Sequence, residues 1–192
     1  MPDDYLPEGF LYTPLTREMK VEFPDFRVVY KTRENCPLWL WIAFKAAGLV
    51  NKAFFTRYAT VIGSSVYLPK TGSKNPASIY NLLRHERVHM RDDAKWGLLY
   101  KLSYLLALPA GWTFRAHWEW RAYQQTLICW HESDTGIRAE DVDWMVDLFA
   151  GPEYLWMNPF HSLMKAKVLK TTYLIQEGVL KGPNYPHPDP PG

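Results

Sequence analysis

A segment with two histidines near the middle of the chain constrains the fold more strongly than any other feature of the sequence. His85 and His89, with Glu86 between them, form the pattern H-E-x-x-H. Apolar residues recur around this pattern at helical spacing, which predicts a single helix over Ala77–Asp92. From the composition, the pattern is expected by chance in roughly 0.01 chains of this length, so we treat it as a candidate site.

The spacing of the two histidines has a chemical reason. Residues four apart on an α-helix lie about 40° apart around the axis and about 6 Å apart along it, so two such imidazoles can reach one Zn²⁺ ion. Glu86 is rotated by about 100° and is not placed to be a further ligand. We expect its carboxylate beside the open coordination position, where it acts as general base toward a zinc-activated water.

This segment resembles the active-site helix of the HExxH zinc metallopeptidases, the zincins, and among them the gluzincins. The resemblance covers roughly residues 61–123, which hold a strand and loop, the HExxH helix and a later helix bearing an acid. Small single-domain relatives include minigluzincins and uncharacterised bacterial or phage metallopeptidase-like proteins. The metzincin pattern is excluded, because Asp92 stands at its Gly position and Lys95 at its third His position. The resemblance implies a zincin-like fold and a zinc-dependent peptidase.

The resemblance also implies a third zinc ligand on a downstream helix, where gluzincins supply a Glu. The predicted helix Thr113–His131 carries Glu119, which follows His89 by 30 residues. Two tryptophans flank this acid, and burying a carboxylate among aromatic rings is costly unless a cation such as Zn²⁺ compensates its charge. We therefore predict Glu119 as the third ligand.

The sequence leaves alternatives to Glu119 open. His117, on the same predicted helix, is a competing ligand. A salt bridge of Glu119 with Arg115 or Arg121 would explain this acid without any metal.

Two aspartates stand at the end of the HExxH helix. Asp93 would lie about 12 Å along the helix axis from His85, which is too far for its carboxylate to reach a metal between the histidines. We predict that Asp92 and Asp93 either orient a ligand imidazole or face solvent.

Further groups around the site are less constrained. Many gluzincins carry an acid four residues after their ligand Glu, and here that position is Tyr123, whose phenol could hydrogen-bond a ligand histidine. Tyr123, His131 and Tyr154 are the candidates for stabilising an oxyanion. Strand Ser65–Leu68 is expected either to hold an extended peptide by β-augmentation or to be a plain core strand. Aromatic residues at helical spacing, Tyr100 among them, are assigned to the core.

The remaining elements predict an α+β fold, with a small antiparallel hairpin or sheet region followed by a helical bundle. Before the HExxH helix we predict an extended lead-in over 1–25, a strand at Phe26–Lys31, a helix at Leu38–Leu49, and a hairpin of Phe54–Ile62 with Ser65–Leu68. After it we predict helices at Lys95–Leu108, Thr113–His131, Ala139–Ala150 and Phe160–Gln176. Residues 1–182 are expected to form one domain, and 183–192 a mobile Pro-rich tail.

Composition excludes several other classes of protein. The 22 Lys and Arg nearly balance the 20 Asp and Glu, so no broad basic face indicates nucleic-acid binding. Cys36 and Cys129 form neither a disulfide framework nor a cysteine zinc site. The acidic N-terminus does not resemble a secretory signal, and the apolar stretches Leu38–Leu49 and Trp96–Trp112 are too short to span a membrane. We therefore expect a cytoplasmic or virion-associated protein.

The sequence predicts a zinc-dependent metallopeptidase that acts on a peptide or protein substrate. One alternative is a catalytically silent protein that keeps the scaffold in a structural or binding role, for example in a phage particle. A weaker alternative is a membrane-surface protein that uses its apolar helices. The presence of Glu86 favours the peptidase, because a silent member would tolerate the loss of this base.

Overall fold

The computed structural model describes residues 14–50, 55, 58–69, 75–105, 114–152 and 157–185. Within these ranges the chain forms seven helices and a small sheet of three strands, so the fold is α+β. The elements in chain order are α1 Pro14–Glu22, β1 Arg27–Tyr30, α2 Leu38–Val50, β2 Thr60–Ile62, β3 Ser65–Leu68, α3 Pro76–Trp96, α4 Leu98–Leu105, α5 Phe114–Glu132, α6 Ala139–Ala150 and α7 His161–Gln176. Residues 1–86 and 87–192 form two compact units, and their boundary falls within the continuous helix α3.

The segment predicted as an extended lead-in contains a helix, and that prediction is wrong for residues 14–22. Pro14 opens α1, a position where the missing N–H of proline costs nothing and its fixed φ favours the helix. Leu15 and Met19 lie four residues apart and are both buried, so one face of α1 packs against the core. The many prolines around this segment concealed the short helical period.

The sheet is mixed rather than purely antiparallel, which corrects the predicted sheet type. The hairpin is confirmed, since β2 and β3 pair antiparallel around Gly63 and Ser64, with Gly63 in the left-handed region at a φ of 57°. Strand β2 covers only Thr60–Ile62, so the predicted strand Phe54–Ile62 is too long. However, β1 pairs parallel to β3, which gives the strand order β1-β3-β2. The central position of β3 and the burial of all four of its residues contradict its interpretation as a peptide-binding edge strand.

The first unit has an apolar core between its sheet and α2. This cluster joins buried residues of both elements with Cys36, namely Val29, Cys36, Leu40, Phe44 and Tyr67. The rings of Phe44 and Tyr67 meet edge to face at 5.4 Å, which is a favoured aromatic geometry. Leu38, Trp39 and Ile42 are exposed, so only one side of α2 faces the core.

Helix α3 is longer than predicted, and the boundary between it and the next helix lies elsewhere. It runs for 21 residues and includes Lys95 and Trp96, which were assigned to the following helix. Gly97 ends α3 with a φ of 51°, and its N–H donates to the carbonyl oxygen of Asp93 at 2.7 Å. Only glycine adopts this left-handed backbone conformation without a steric cost, so Gly97 sets the turn into α4.

Helices α5, α6 and α7 form the core of the second unit, close to the predicted boundaries. The buried residues of this cluster are Ala116, Trp120, Tyr123, Leu127, Ile128, Val142, Met145, Val146, Leu148, Phe149, Met157, Met164, Val168 and Ile175. Part of the predicted tail contacts this unit, since the Gln125 amide donates to the carbonyl oxygens of Gly182 and Tyr185. Residues 186–192 lie outside the described ranges. None of the described helices combines the length and apolar character that a membrane crossing requires.

Candidate metal centre

Both histidines of the H-E-x-x-H segment lie on α3 and are buried. His85 is 8 % exposed, His89 is 6 % exposed, and Glu86 between them is 7 % exposed. Because one uninterrupted helix carries all three, the two imidazoles stand one turn apart, as the sequence predicts. Burial of three ionisable side chains in one turn requires partners that compensate them.

Glu119 on α5 is the acid that meets these histidines. Glu119 is 3 % exposed, and its Oε2 lies 3.7 Å from Nε2 of His89. One ligand atom from each of His85, His89 and Glu119 can be chosen so that all three lie within 4.8 Å of one another. A set of two imidazole nitrogens and one carboxylate oxygen at this separation could bind a metal ion.

The competing ligand, His117, does not belong to this group among the described residues. It precedes Glu119 by two positions, which turns it about 200° around the helix axis, and its side chain is only partly covered by neighbouring residues. This partial burial and the charges of Arg121 and Lys167 lower its pKa. The geometry therefore favours Glu119 over His117 as the third donor.

Asp92 forms a buried ion pair instead of facing solvent. Asp92 is 1 % exposed, and its carboxylate accepts three hydrogen bonds of 3.0 to 3.2 Å from the Arg121 guanidinium. This bidentate pair joins α3 to α5 two residues beyond Glu119. Arg121 therefore binds Asp92, which weakens the alternative in which it is the salt-bridge partner of Glu119. Asp93 pairs with Lys101 at 3.2 Å.

Tyr100 on α4 contacts His89, although the sequence predicts Tyr100 only as a core residue. Its hydroxyl lies 3.2 Å from Nδ1 of His89. Two hydrogen bonds surround this tyrosine: Trp118 Nε1 donates to Ser103 Oγ at 2.9 Å, and Ser103 Oγ donates to the Tyr100 carbonyl at 3.0 Å. The Tyr100 and Trp118 rings also meet edge to face at 5.2 Å. No pattern in the sequence links Tyr100 to His89, because the turn at Gly97 brings them together.

Lys31 is a second residue that sequence reasoning missed. It directly follows β1, and its side chain is buried within the first unit. Burial lowers the pKa of its amine to about 7, while the negative charge of Glu86 acts in the opposite direction and raises it. A charged residue at the end of an apolar strand gives only a weak signal, since such residues usually face solvent.

The remaining candidates for the site stand as follows. Tyr123 is buried in the second unit, where its ring contacts Phe149 at 5.4 Å and Trp144 at 6.3 Å. His131 is exposed near the end of α5. Tyr154 lies outside the described residues. The oxyanion role of Tyr123 stays a prediction.

Comparisons with known proteins give no further assignment of this site. No family model matches the sequence, and the searches of curated proteins and of solved structures each return no match.

Proposed function

We propose that this chain is a zinc-dependent metallopeptidase of the gluzincin type, with a zincin-like fold. The observation that carries the proposal is the buried group of His85, His89 and Glu119, with Glu86 next to a ligand on the same helix. The resemblance of the H-E-x-x-H segment to the zincins supports the same conclusion. A peptide or protein is the substrate that this chemistry would act on.

The donor set fits Zn²⁺ and does not fit the hard cations Ca²⁺ and Mg²⁺. Two imidazoles and one carboxylate form a small, mixed nitrogen and oxygen set, whereas Ca²⁺ and Mg²⁺ prefer oxygen ligands throughout. Three protein ligands are typical of catalytic zinc sites, whereas a structural zinc site normally has four. His85, His89 and Glu119 would hold the ion and leave a position for water or substrate.

Glu86 supplies the acid–base chemistry of the proposed reaction. Zinc bound at this site would lower the pKa of a water molecule and polarise the substrate carbonyl group. The Glu86 carboxylate accepts the proton of that water as it attacks the carbonyl carbon. When the C–N bond breaks, Glu86 donates the proton to the leaving amine and returns to its ionised form.

A combined metal and activity measurement tests the proposal. Elemental analysis of protein purified without chelator is expected to give one zinc per chain, and a peptide library is expected to show cleavage that a chelator abolishes. Glu86→Gln should keep the zinc and lose cleavage, because the amide cannot accept the proton. Glu177→Gln, at an exposed glutamate beyond α7, is the matched control and should change neither.

Each contrary result has a defined meaning. Absence of zinc, both as purified and after reconstitution, would refute the metal centre. One zinc per chain without cleavage by wild type would favour the silent scaffold with a structural or binding role. Undiminished cleavage by Glu86→Gln would exclude Glu86 as the base.

A further inference from the structure

Two buried acids of the second unit lie between helices α3 and α5. Among the described residues of this unit, Asp92 and Glu119 are the only acids with a buried side chain. Asp92 follows His89 by three positions, so these two side chains are neighbours on one face of α3. From α5, Glu119 Oε2 reaches Nε2 of His89 at 3.7 Å, and Arg121 reaches Asp92 at 3.0 Å. Although residues two apart leave a helix in different directions, Glu119 and Arg121 thus both approach the same face of α3.

The Arg121 guanidinium brings a permanent positive charge to this face, because arginine does not lose its proton in a protein. Its Nε donates to both carboxylate oxygens of Asp92, and its Nη2 donates to one of them. The Asp92 side chain is 2 % exposed and that of Arg121 is 25 % exposed. A single acid therefore binds this cation through both of its oxygens, largely away from water.

The choice of partner for Arg121 matters to a metal centre that uses Glu119. Guanidinium groups bind carboxylates strongly and often through two parallel hydrogen bonds, so Glu119 would also be a suitable partner. A guanidinium bound to Glu119 would occupy the oxygens that a metal ion requires, and it would repel a divalent cation. Asp92 removes this competition, since its carboxylate binds Arg121 and offsets its charge.

We propose that Asp92 is a positioning residue of the metal centre, which holds the Arg121 guanidinium away from Glu119 so that the Glu119 carboxylate binds the metal ion rather than this arginine. The inference rests on the metal centre of the proposed function, and on none of the steps of peptide cleavage. The three hydrogen bonds fix the guanidinium in distance and in direction. Loss of Asp92 would leave Glu119 as the remaining buried acid among the described residues of this unit.

Two single variants break the same ion pair and separate this role from a structural one. Asp92→Ala leaves the arginine without its partner, whereas Arg121→Met removes the arginine. Zinc affinity is measured by competition with a chromophoric chelator, at a temperature where both variants are folded. Asp92→Ala should weaken zinc binding at least about ten-fold, which is the effect expected of a residue that supports a metal ligand. Arg121→Met should bind zinc within about two-fold of wild type, although its Tm also falls.

The double variant of Asp92→Ala with Arg121→Met tests for rescue. Because it lacks the competing cation, its zinc affinity should return to within about two-fold of wild type. A double variant as weak as Asp92→Ala would overturn the proposal. Equal losses in the two single variants would overturn it as well, because the pair would then act only by holding α3 and α5 together. Unchanged affinity in Asp92→Ala would mean that the released guanidinium turns to water, which also contradicts the proposal.

An exposed ion pair of the same unit gives the matched control. Asp143 on α6 binds Lys165 on α7 at 2.9 Å, and both side chains are exposed. Asp143→Ala releases this lysine and should leave the zinc affinity unchanged. If Asp92→Ala fails to fold, Asp92→Asn replaces it in both the single and the double variant, because the amide keeps the shape of the side chain without its charge.

A measurement in the presence of a chelator keeps this inference separate from the proposed function. If Asp92→Ala redirects Arg121 to Glu119, then Glu119→Gln should lower the Tm more in that background than in wild type. Equal losses would overturn the redirection. Zinc binding without cleavage by wild type would refute the peptidase and leave the affinity comparison intact. If wild type binds no zinc, the metal centre fails, and the chelator measurement still decides whether Asp92 keeps Arg121 from Glu119.

Discussion

The hydroxyl group of Tyr100 lies 3.2 Å from Nδ1 of His89, and Nε2 of the same imidazole lies 3.7 Å from Glu119 Oε2. A metal held by Nε2 would leave the ring proton on Nδ1, which would then donate to the Tyr100 oxygen. Tyr100 would thereby select the tautomer and the ring orientation that present Nε2 to a bound ion. The hydroxyl at this position would do what a carboxylate does in many zinc sites.

Tyr100→Phe is therefore expected to weaken zinc binding by about 10- to 100-fold, because loss of the partner of a ligand histidine has an effect of that size. The measurement is a competition titration against a chromophoric chelator. Tyr173→Phe, at an exposed tyrosine of α7, removes the same hydroxyl far along the chain and should leave the affinity unchanged. Equal affinities of Tyr100→Phe and wild type would contradict the orienting role.

Glu119→Ala is expected to weaken zinc binding strongly and to lower the Tm of the zinc-loaded protein, because the ion stabilises the fold that binds it. Glu132→Ala removes an exposed acid from the same helix and should retain full zinc content. His117→Ala should also retain it. Full zinc occupancy in Glu119→Ala, together with loss in His117→Ala, would transfer the ligand role to His117.

Asp92→Ala is expected to lower the free energy of unfolding by about 2 kcal/mol, since it leaves the Arg121 guanidinium without its buried carboxylate. Arg121 is a quarter exposed, which keeps the cost below that of a fully buried pair. Asp143→Ala breaks an exposed pair with Lys165 and should cost less than about 1 kcal/mol. Chemical denaturation of both variants measures the difference, and equal losses would contradict a stabilising role for the buried pair.

The lowered pKa of Lys31 predicts a pH dependence of stability. Its pKa is about 7 in the folded protein, compared with the ordinary value of 10.5 that applies in the unfolded chain. Between pH 7 and 10.5 the unfolded chain therefore binds one more proton at this lysine than the folded protein does. The stability of wild type should therefore rise with pH above 7, by up to about 1.4 kcal/mol per pH unit from this group. Urea unfolding at pH 7, 8 and 9 should show this rise in wild type relative to Lys31→Met, and parallel curves would exclude it.

Local patterns in the sequence were sufficient to predict most of the helices and strands and the candidate metal ligands themselves. Helical periodicity gave α3 and placed His85 and His89 one turn apart, and α6 was predicted with the bounds that it has. Glu119 was predicted from the gluzincin resemblance, together with the cost of burying an acid between tryptophans without compensation. The error at α1 has a local cause as well, because prolines near a short helix conceal its period.

The side chains that contact the candidate metal ligands are set by long-range packing, which no local pattern in the sequence indicates. The sequence by itself determined one helix that carries His85, Glu86 and His89, since spacing along a helix fixes direction and distance. Only the tertiary structure decided that Tyr100 meets His89, that Arg121 binds Asp92 rather than serving as the partner of Glu119, and that β3 is central in a mixed sheet. The physical reason is that long-range pairs form wherever packing buries compatible surfaces, and a buried polar group then takes the partner that this packing supplies.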